Sequence, residues 1–235
     1  MLCLDAGNTV IFLDHQRLAA EASALGHPVS RTRLVAAEGE AKRLSESGGL
    51  LEFAWSERDK PGAASWGRTV GTMLAVAGAP KAALPDVVSA LWKSHIDFNF
   101  WSAVPEGLGE ALEAYRATAG KVAIVSNSEG MLASLFARLG IARHFDLVAD
   151  SGLLGIEKPD PRIFQHVLTH FDAEADKALH LGDIFATDVL GARAAGIRHA
   201  LIDPFGHYEG RHADVLRVPG VVSVAHALAQ NRTTP

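Results

Sequence analysis

Residues 1–10 read MLCLDAGNTV, an apolar run that stops on Asp5 and gives way to Ala, Gly, Asn and Thr. A buried strand that ends on a carboxylate is costly unless distant parts of the chain bring that acid a partner. The same shape recurs. KVAIVS at 121–126, DLVAD at 146–150, ALHLGD at 178–183 and HALID at 199–203 are short apolar runs, most of them closing on an acidic or small residue. Helical spacing separates them. Leu132, Leu135, Phe136 and Leu139 form one stripe within 128–140, with Ser128 and Gly140 expected as caps. Ile163, Phe164, Val167, Leu168 and Phe171 form a second within 160–171, and Val189, Leu190 and Ala194 a third within 184–196, closing on Gly196. Apolar strands without in-and-out polarity, alternating with helices, predict a parallel sheet covered on both faces.

Residues 14–100 follow another pattern. Their spacing predicts helices near 14–26, 31–46, 62–78 and 84–95, with no convincing strand, and Gly48-Gly49 and Lys60-Pro61-Gly62 punctuate them. The expected fold is α/β: a doubly wound parallel-sheet, Rossmann-like core from 1–13 and 101–235, with an inserted all-helical cap domain over 14–100.

Composition narrows the classes of function. The 235 residues are 48% hydrophobic and 21% charged, the profile of a globular protein. Lys and Arg total 22 against 27 Asp and Glu, a formal charge of -5 with no basic run, so no nucleic acid is expected. No apolar stretch approaches the ~20 residues of a membrane span, so no membrane partner is expected. Met-Leu-Cys-Leu-Asp lacks the basic start and long apolar segment of a secretion signal, and the expected location is the cytoplasm. Cys3 is the only cysteine, which leaves no intramolecular disulfide or cysteine zinc site, and mid-strand it reads as a small core residue. Phe53, Trp66 and Trp92 read as core of the helical insert, and Trp55 as a slight candidate for a substrate pocket. His207 and His212 read as part of a solvated loop, and the terminal NRTTP as a frayed tail.

In a doubly wound sheet, ligands gather at the carboxyl ends of the strands. Those ends carry Asp5, Ser126-Asn127 and Asp183, with Asp188 a turn into the following helix, and the loop GIEKPDP at 155–161 adds Lys158. Crowded carboxylates call for a cation, and oxygen-only ligands favour Mg²⁺. A Lys, a hydroxyl and backbone N–H groups at a helix start suit a phosphate. An Asp beside both is placed to attack phosphorus.

Taken in order, LDAGNTV at 4–10, VSNS at 125–128, the Lys of GIEKPDP and LGDIFATD at 181–188 resemble the four motifs of the haloacid dehalogenase superfamily of hydrolases, in which phosphatases predominate. The resemblance covers 1–13 and roughly 101–203, and the insert matches the family's helical (C1) cap in position and length. It implies Mg²⁺ as cofactor, a small phosphorylated or otherwise anionic substrate, and a monomer or homodimer. It also implies roles. Asp5 is the catalytic nucleophile, forms an aspartyl-phosphate and ligates the metal. Gly7 offers the metal its carbonyl, and Thr9 helps fix the turn. Ser126 and the Asn127 N–H hold phosphate oxygens, and Lys158 neutralises charge on the phosphate and on Asp5. Asp183 ligates Mg²⁺, and Asp188 joins that set or orients Lys158 or a water.

Phosphatases of this superfamily usually carry a second Asp two residues after the nucleophile, which protonates the leaving group and then activates water. Here that position is Gly7. General acid–base help is worth ~10²–10⁴-fold, so four readings stay open. One is a phosphatase whose acid comes from elsewhere, from His15 or a cap residue, or whose substrates have good leaving groups. A second is a phosphonatase-like enzyme with Lys42 or Lys60 as Schiff base. A third is a 2-haloacid dehalogenase, a branch that typically has Tyr at this position and does not use a pair like Gly182-Asp183. The fourth is a catalytically weak or inactive binding protein. Retention of Asp5, Lys158 and Asp183 together favours an enzyme, since a scaffold has no need of mutually repelling carboxylates.

Overall fold

The computed structural model describes residues 1–233, with side chains through 231. The chain divides into two compact units, one of Met1–Phe12 together with everything from Ala103 on, the other of Leu13–Ser102. In chain order the strands are β1 (Leu2–Leu4), β2 (Phe12–Leu13), β3 (Trp101–Ala103), β4 (Val122–Ser126), β5 (Leu147–Asp150), β6 (Leu179–Gly182), β7 (Arg198–Ile202) and β8 (Arg217–Val218). Six of them form one sheet in the order β5-β4-β1-β6-β7-β8, and every pairing in it is parallel. From β1 the chain winds outward through β4 and β5, then crosses to β6 and winds the other way. The switch point therefore falls at β1, where a doubly wound sheet opens its crevice, and Asp5 stands at that strand's carboxyl end. β2 and β3, the two crossings between the units, pair with each other.

The helices of the second unit are α1 (His15–Ala24), α2 (Arg31–Glu46), α3 (Ala63–Ala77) and α4 (Leu84–Asp97). Their core includes Leu18, Leu34, Val70, Met73, Leu74, Val88 and Leu91. Gly67 and Gly71 lie one turn apart on α3, and a Cβ on them would fall 2.7 Å from the Trp55 ring and 2.5 Å from that of Phe53. The bare stretch of helix is what lets those aromatics settle. Trp55, Trp66 and Trp92 then pack ring on ring, with centroids 5.1–6.2 Å apart. At the carboxyl end of α4, Arg17 donates to the carbonyls of Ser94, Phe98 and Asn99 and lies over the Phe100 ring.

The first unit adds α5 (Leu108–Ala117), α6 (Leu132–Arg138), α7 (Ser151–Leu154), α8 (Arg162–His170), α9 (Leu190–Ala194) and α10 (Val221–Thr233). Residues 231–233 of the expected frayed tail are helical, and Thr234 and Pro235 lie outside the described residues. No described helix is long and apolar enough to cross a membrane. Leu2, Cys3 and Leu4 have no exposed surface, and burial pushes the Cys3 thiol up to about 12, which leaves it inert.

Two expectations are corrected. α6 starts at Leu132, and Ser128 does not cap it. The Asp150 carboxylate, from the end of β5, accepts from the N–H groups of Gly130, Leu132 and Gly152 and takes over that task. The single helix expected over 184–196 is instead a π turn, Phe185–Val189, leading into α9.

Asp146 shows how a strand start is held. Its carboxylate accepts from Val122 N–H at 2.9 Å and Arg116 Nη2 at 2.7 Å. Burial works to raise its pKa, but these bonds and the charges of Arg116 and Lys121 outweigh it and hold the acid below the ordinary range. A depressed carboxylate stabilises above its unfolded pKa, near 3.9, and that share is lost as pH falls through the folded value. Asp146→Asn is expected to cost about 1 kcal/mol or less at pH 6, because Arg116 is partly in water. The gap in urea midpoint between variant and wild type should narrow as pH falls below about 4.

Candidate active site

Asp5 leaves β1 with its N–H bonded to Leu181 O of β6 at 2.8 Å. The chain then turns sharply. Asn8 takes the left-handed backbone (φ 50) that Asn tolerates, and its N–H donates to Ile11 O, while the N–H groups of Val10 and Ile11 both donate to Ala6 O at 3.0 Å. The buried Thr9 hydroxyl, expected to help fix this turn, makes no hydrogen bond. Gly7 forms an isolated bridge with Ile11.

Lys158 has 3% of its surface exposed, although it lies in a loop. Its Nζ donates to Asp5 Oδ1 and Asp188 Oδ1, at 2.6 Å each. The loop that carries it is bolted to the end of β4 by Asn127. That side chain accepts from Lys158 N–H at 2.7 Å and donates to Lys158 O at 2.8 Å. Asp160 then caps the entry to α8 by accepting from Arg162 N–H at 2.9 Å. Ser126 is buried at the tip of β4, where its hydroxyl works to lower the pKa of Asp5. The clamping side chain of Asn127 is a role the sequence reading missed, since its partner lies 31 residues away.

Asp188 reaches the same point from the π turn. Its Oδ1 also faces His180 Nε2 at 3.0 Å, and its Oδ2 accepts from Ile184 N–H at 2.9 Å. Gly182 makes this possible, because a Cβ there would stand 2.2 Å from Asp188 Cγ. The turn is braced from the far side. Tyr208 Oη accepts from Phe185 N–H at 3.1 Å, and His212 stacks on the Phe185 ring at 3.5 Å and 7°. His212 is therefore a packed buttress rather than a solvated loop residue. Asp183 is 1% exposed, and carboxylate oxygens of Asp5, Asp183 and Asp188 all lie within 4.8 Å of one another. An oxygen-only donor set at that spacing suits a hard divalent cation.

Two acids share one ammonium, and this splits them. Burial works against the charge on Lys158, but Asp188 and Asp5 outweigh it and hold the ammonium well above its ordinary range. Burial also opposes ionisation of Asp188, yet Lys158 and His180 prevail and hold it well below the carboxylate range. For Asp5, burial and the negative charge of Asp188 win over Lys158, and its pKa is raised. One carboxylate is thus a fixed anion and its neighbour a more basic one.

The other candidates lie in the second unit. His15 Nε2 sits 2.7 Å from Glu38 Oε2, and Lys42 Nζ 3.3 Å from Glu38 Oε1, all three residues buried. Lys60 is exposed and pairs with Glu57.

A buried Asp–Lys–Asp chain at the switch point of a parallel sheet, joined by a third carboxylate and a hydroxyl, is a candidate active site on an α/β fold. The sequence model of haloacid dehalogenase-like hydrolases matches residues 2–196. The chain belongs to that family. Among curated relatives, haloacid dehalogenase-like hydrolase domain-containing protein 3 of Mus musculus is 33% identical over 138 residues, 58% of this chain and 55% of that protein. A phosphoserine phosphatase of Thermus thermophilus is 29% identical over 161 residues, 65% of this chain and 64% of that one. The chain spans about half the length of the first of these relatives. A solved HAD-hydrolase of Bacillus subtilis, described as bound to magnesium, aligns over 97% of both chains with a TM-score of 0.65 at 16% identity, which speaks for the fold.

Proposed function

We propose that this hydrolase is a Mg²⁺-dependent phosphatase of small phosphorylated metabolites, acting through an aspartyl-phosphate on Asp5, with the helical unit as its cap. The observation that carries the reading is Lys158 Nζ held 2.6 Å from Asp5 at the end of β1. A phosphoryl group beside Asp5 meets that ammonium, the Ser126 hydroxyl and the Asn127 N–H. Asp5, with its raised pKa, is the more nucleophilic of the two acids that share the lysine. Its oxygen attacks phosphorus, the ester P–O bond breaks, and the leaving oxygen departs as an anion that takes its proton from water. Water then cleaves the acyl phosphate, releasing inorganic phosphate and restoring Asp5.

Asp5, Asp183 and the Gly7 carbonyl would hold Mg²⁺, which when bound neutralises charge on the phosphate. Asp188 serves rather to hold Lys158, since its two oxygens already face three donors. The phosphatase relative from Thermus thermophilus supports the reaction class.

With Gly7 the nucleophile's turn has no acid to protonate a leaving group. The reading therefore expects substrates whose leaving oxygen is a weak base. The test is phosphate release from para-nitrophenyl phosphate and a metabolite panel, with Mg²⁺ and with a chelator. Turnover with Mg²⁺ that the chelator abolishes is the expected result; silence across the panel from folded protein overturns the reading. Gly7→Asp extends the test. It should raise turnover of alkyl phosphates by ~10–10²-fold while leaving para-nitrophenyl phosphate nearly unchanged, because only the poor leaving group needs the proton.

A further inference from the structure

We propose that His180 is a positioning residue of this site: its Nε2–H fixes the Asp188 carboxylate, and Asp188 so fixed holds Lys158 against Asp5. The proposal rests on the phosphatase reading for its kinetic consequence and on geometry for the rest. His180 lies in the middle of β6 with no exposed surface, its ring edge-on to Phe164 at 4.9 Å and 83°. It pairs in register with Cys3 of β1, two residues before Asp5.

Both ring nitrogens have partners. Nδ1 is 3.1 Å from Cys3 O and Nε2 is 3.0 Å from Asp188 Oδ1. Nδ1 faces the Cys3 carbonyl oxygen of β1. The Asp188 oxygen already takes Lys158 and accepts again, so Nε2 donates to it. An imidazole whose task was only to fill space between two strands would need no second bond. In a fully buried setting an apolar side chain would fill that space without the cost of desolvating a polar ring.

Asp188 is thus gripped from three directions, by the Lys158 loop, by β6 through His180 and by the start of its own π turn through Ile184. The Ile184 bond anchors Oδ2 alone. The His180 bond keeps Oδ1 turned toward Lys158, and without it that oxygen is free to rotate away and leave the ammonium to Asp5. The same ring lies 3.1 Å from the Cys3 carbonyl of the strand that presents the nucleophile, so one side chain sets the spacing between Asp5 and the acid that orients its lysine.

The two ring nitrogens can be tested separately. Asn at 180 places its amide near Nδ1 and Gln places its own near Nε2. Phosphate release with Mg²⁺, melting temperature and a crystal structure are measured for His180→Asn and His180→Gln beside the wild type. His180→Asn should lose ~10–100-fold in kcat with KM within about threefold, the range typical of a lost second partner behind a site residue. Its crystal structure should show Lys158 Nζ parted from Asp188. His180→Gln should keep kcat within about threefold and keep that contact. Equal losses in both variants that follow their melting temperatures overturn the proposal, as does a folded His180→Asn with contact and kcat intact. If His180→Asn does not fold, His180→Gln decides alone, and Lys158 parted from Asp188 in it is fatal. A wild type that releases no phosphate removes the phosphatase reading only, and the crystal structures of the two variants still decide the role of His180.

Discussion

Asp5→Asn should lower phosphate release by roughly 10⁴-fold or more and leave the protein folded and no less stable. Loss of a covalent nucleophile removes the reaction path itself, and single knockouts of such groups cost on that order. The stability half of the expectation comes from electrostatics. Asp5 lies at the switch point with its pKa raised, first by burial and then by the charge of Asp188, despite Lys158 at 2.6 Å. An acid whose folded pKa is raised loses stabilising power as pH climbs from its unfolded value through its folded one, because the folded state must give up a proton it binds more tightly. Wherever Asp5 is ionised it therefore costs stability, and Asn removes that cost. Lys158 keeps Asp188, so no buried ammonium is stranded. Melting temperatures at pH 7 and pH 4, with phosphate release at pH 7, check both halves. The variant should match or exceed the wild type at pH 7, and its advantage should shrink at pH 4. Wild-type turnover in the variant ends the covalent reading, and a fall of many degrees at pH 7 ends the electrostatic one.

Gly182→Ala is the second change with a large expected effect. A methyl group at 182 would stand 2.2 Å from Asp188 Cγ, well inside contact distance, and Asp188 has nowhere nearby to go. Lys158, His180 and Ile184 all hold it where it is. Moving it breaks a buried ion pair, and leaving it strains the β6 backbone. Overpacking costs ~1–3 kcal/mol and an uncompensated buried charge ~3–5, so roughly 3 kcal/mol of stability should be lost. Displacing Lys158 by even an ångström should lower kcat by about 10²-fold. Chemical denaturation and kinetics measure the two effects. Asp188→Ala in the Gly182→Ala background should recover only a small part of the stability, since the clash with Cγ goes while the Cβ of residue 188 still stands 2.6 Å away. An Ala variant as stable and active as wild type would show that Asp188 moves freely, contrary to its three bonds.

Much of this protein is determined by its sequence taken alone. The apolar runs that became β1, β4, β5, β6 and β7, and the helical stripes between them, are local signals: a buried parallel strand must be apolar on both faces, and an amphipathic helix must repeat every 3.6 residues. Once that alternation is read, topology places the strand ends at one edge, and so Asp5, Ser126, Lys158, Asp183 and Asp188 could be named as neighbours before any coordinate was known. Tertiary structure alone decided how they divide the work. Lys158 meets Asp5 across 153 residues and Asp188 across 30, and no local pattern says which acid will be the fixed anion. The cap of α6 comes from Asp150, the clamp on Lys158 from the side chain of Asn127, the brace under the π turn from Tyr208 and His212, and the grip on Asp188 from His180. Hydrogen bonds and buried charges choose partners by distance in space, and a polar side chain looks the same in sequence whichever partner it will find. Hydrophobic periodicity is written along the chain, whereas electrostatic pairing comes into being only when the sheet closes around it.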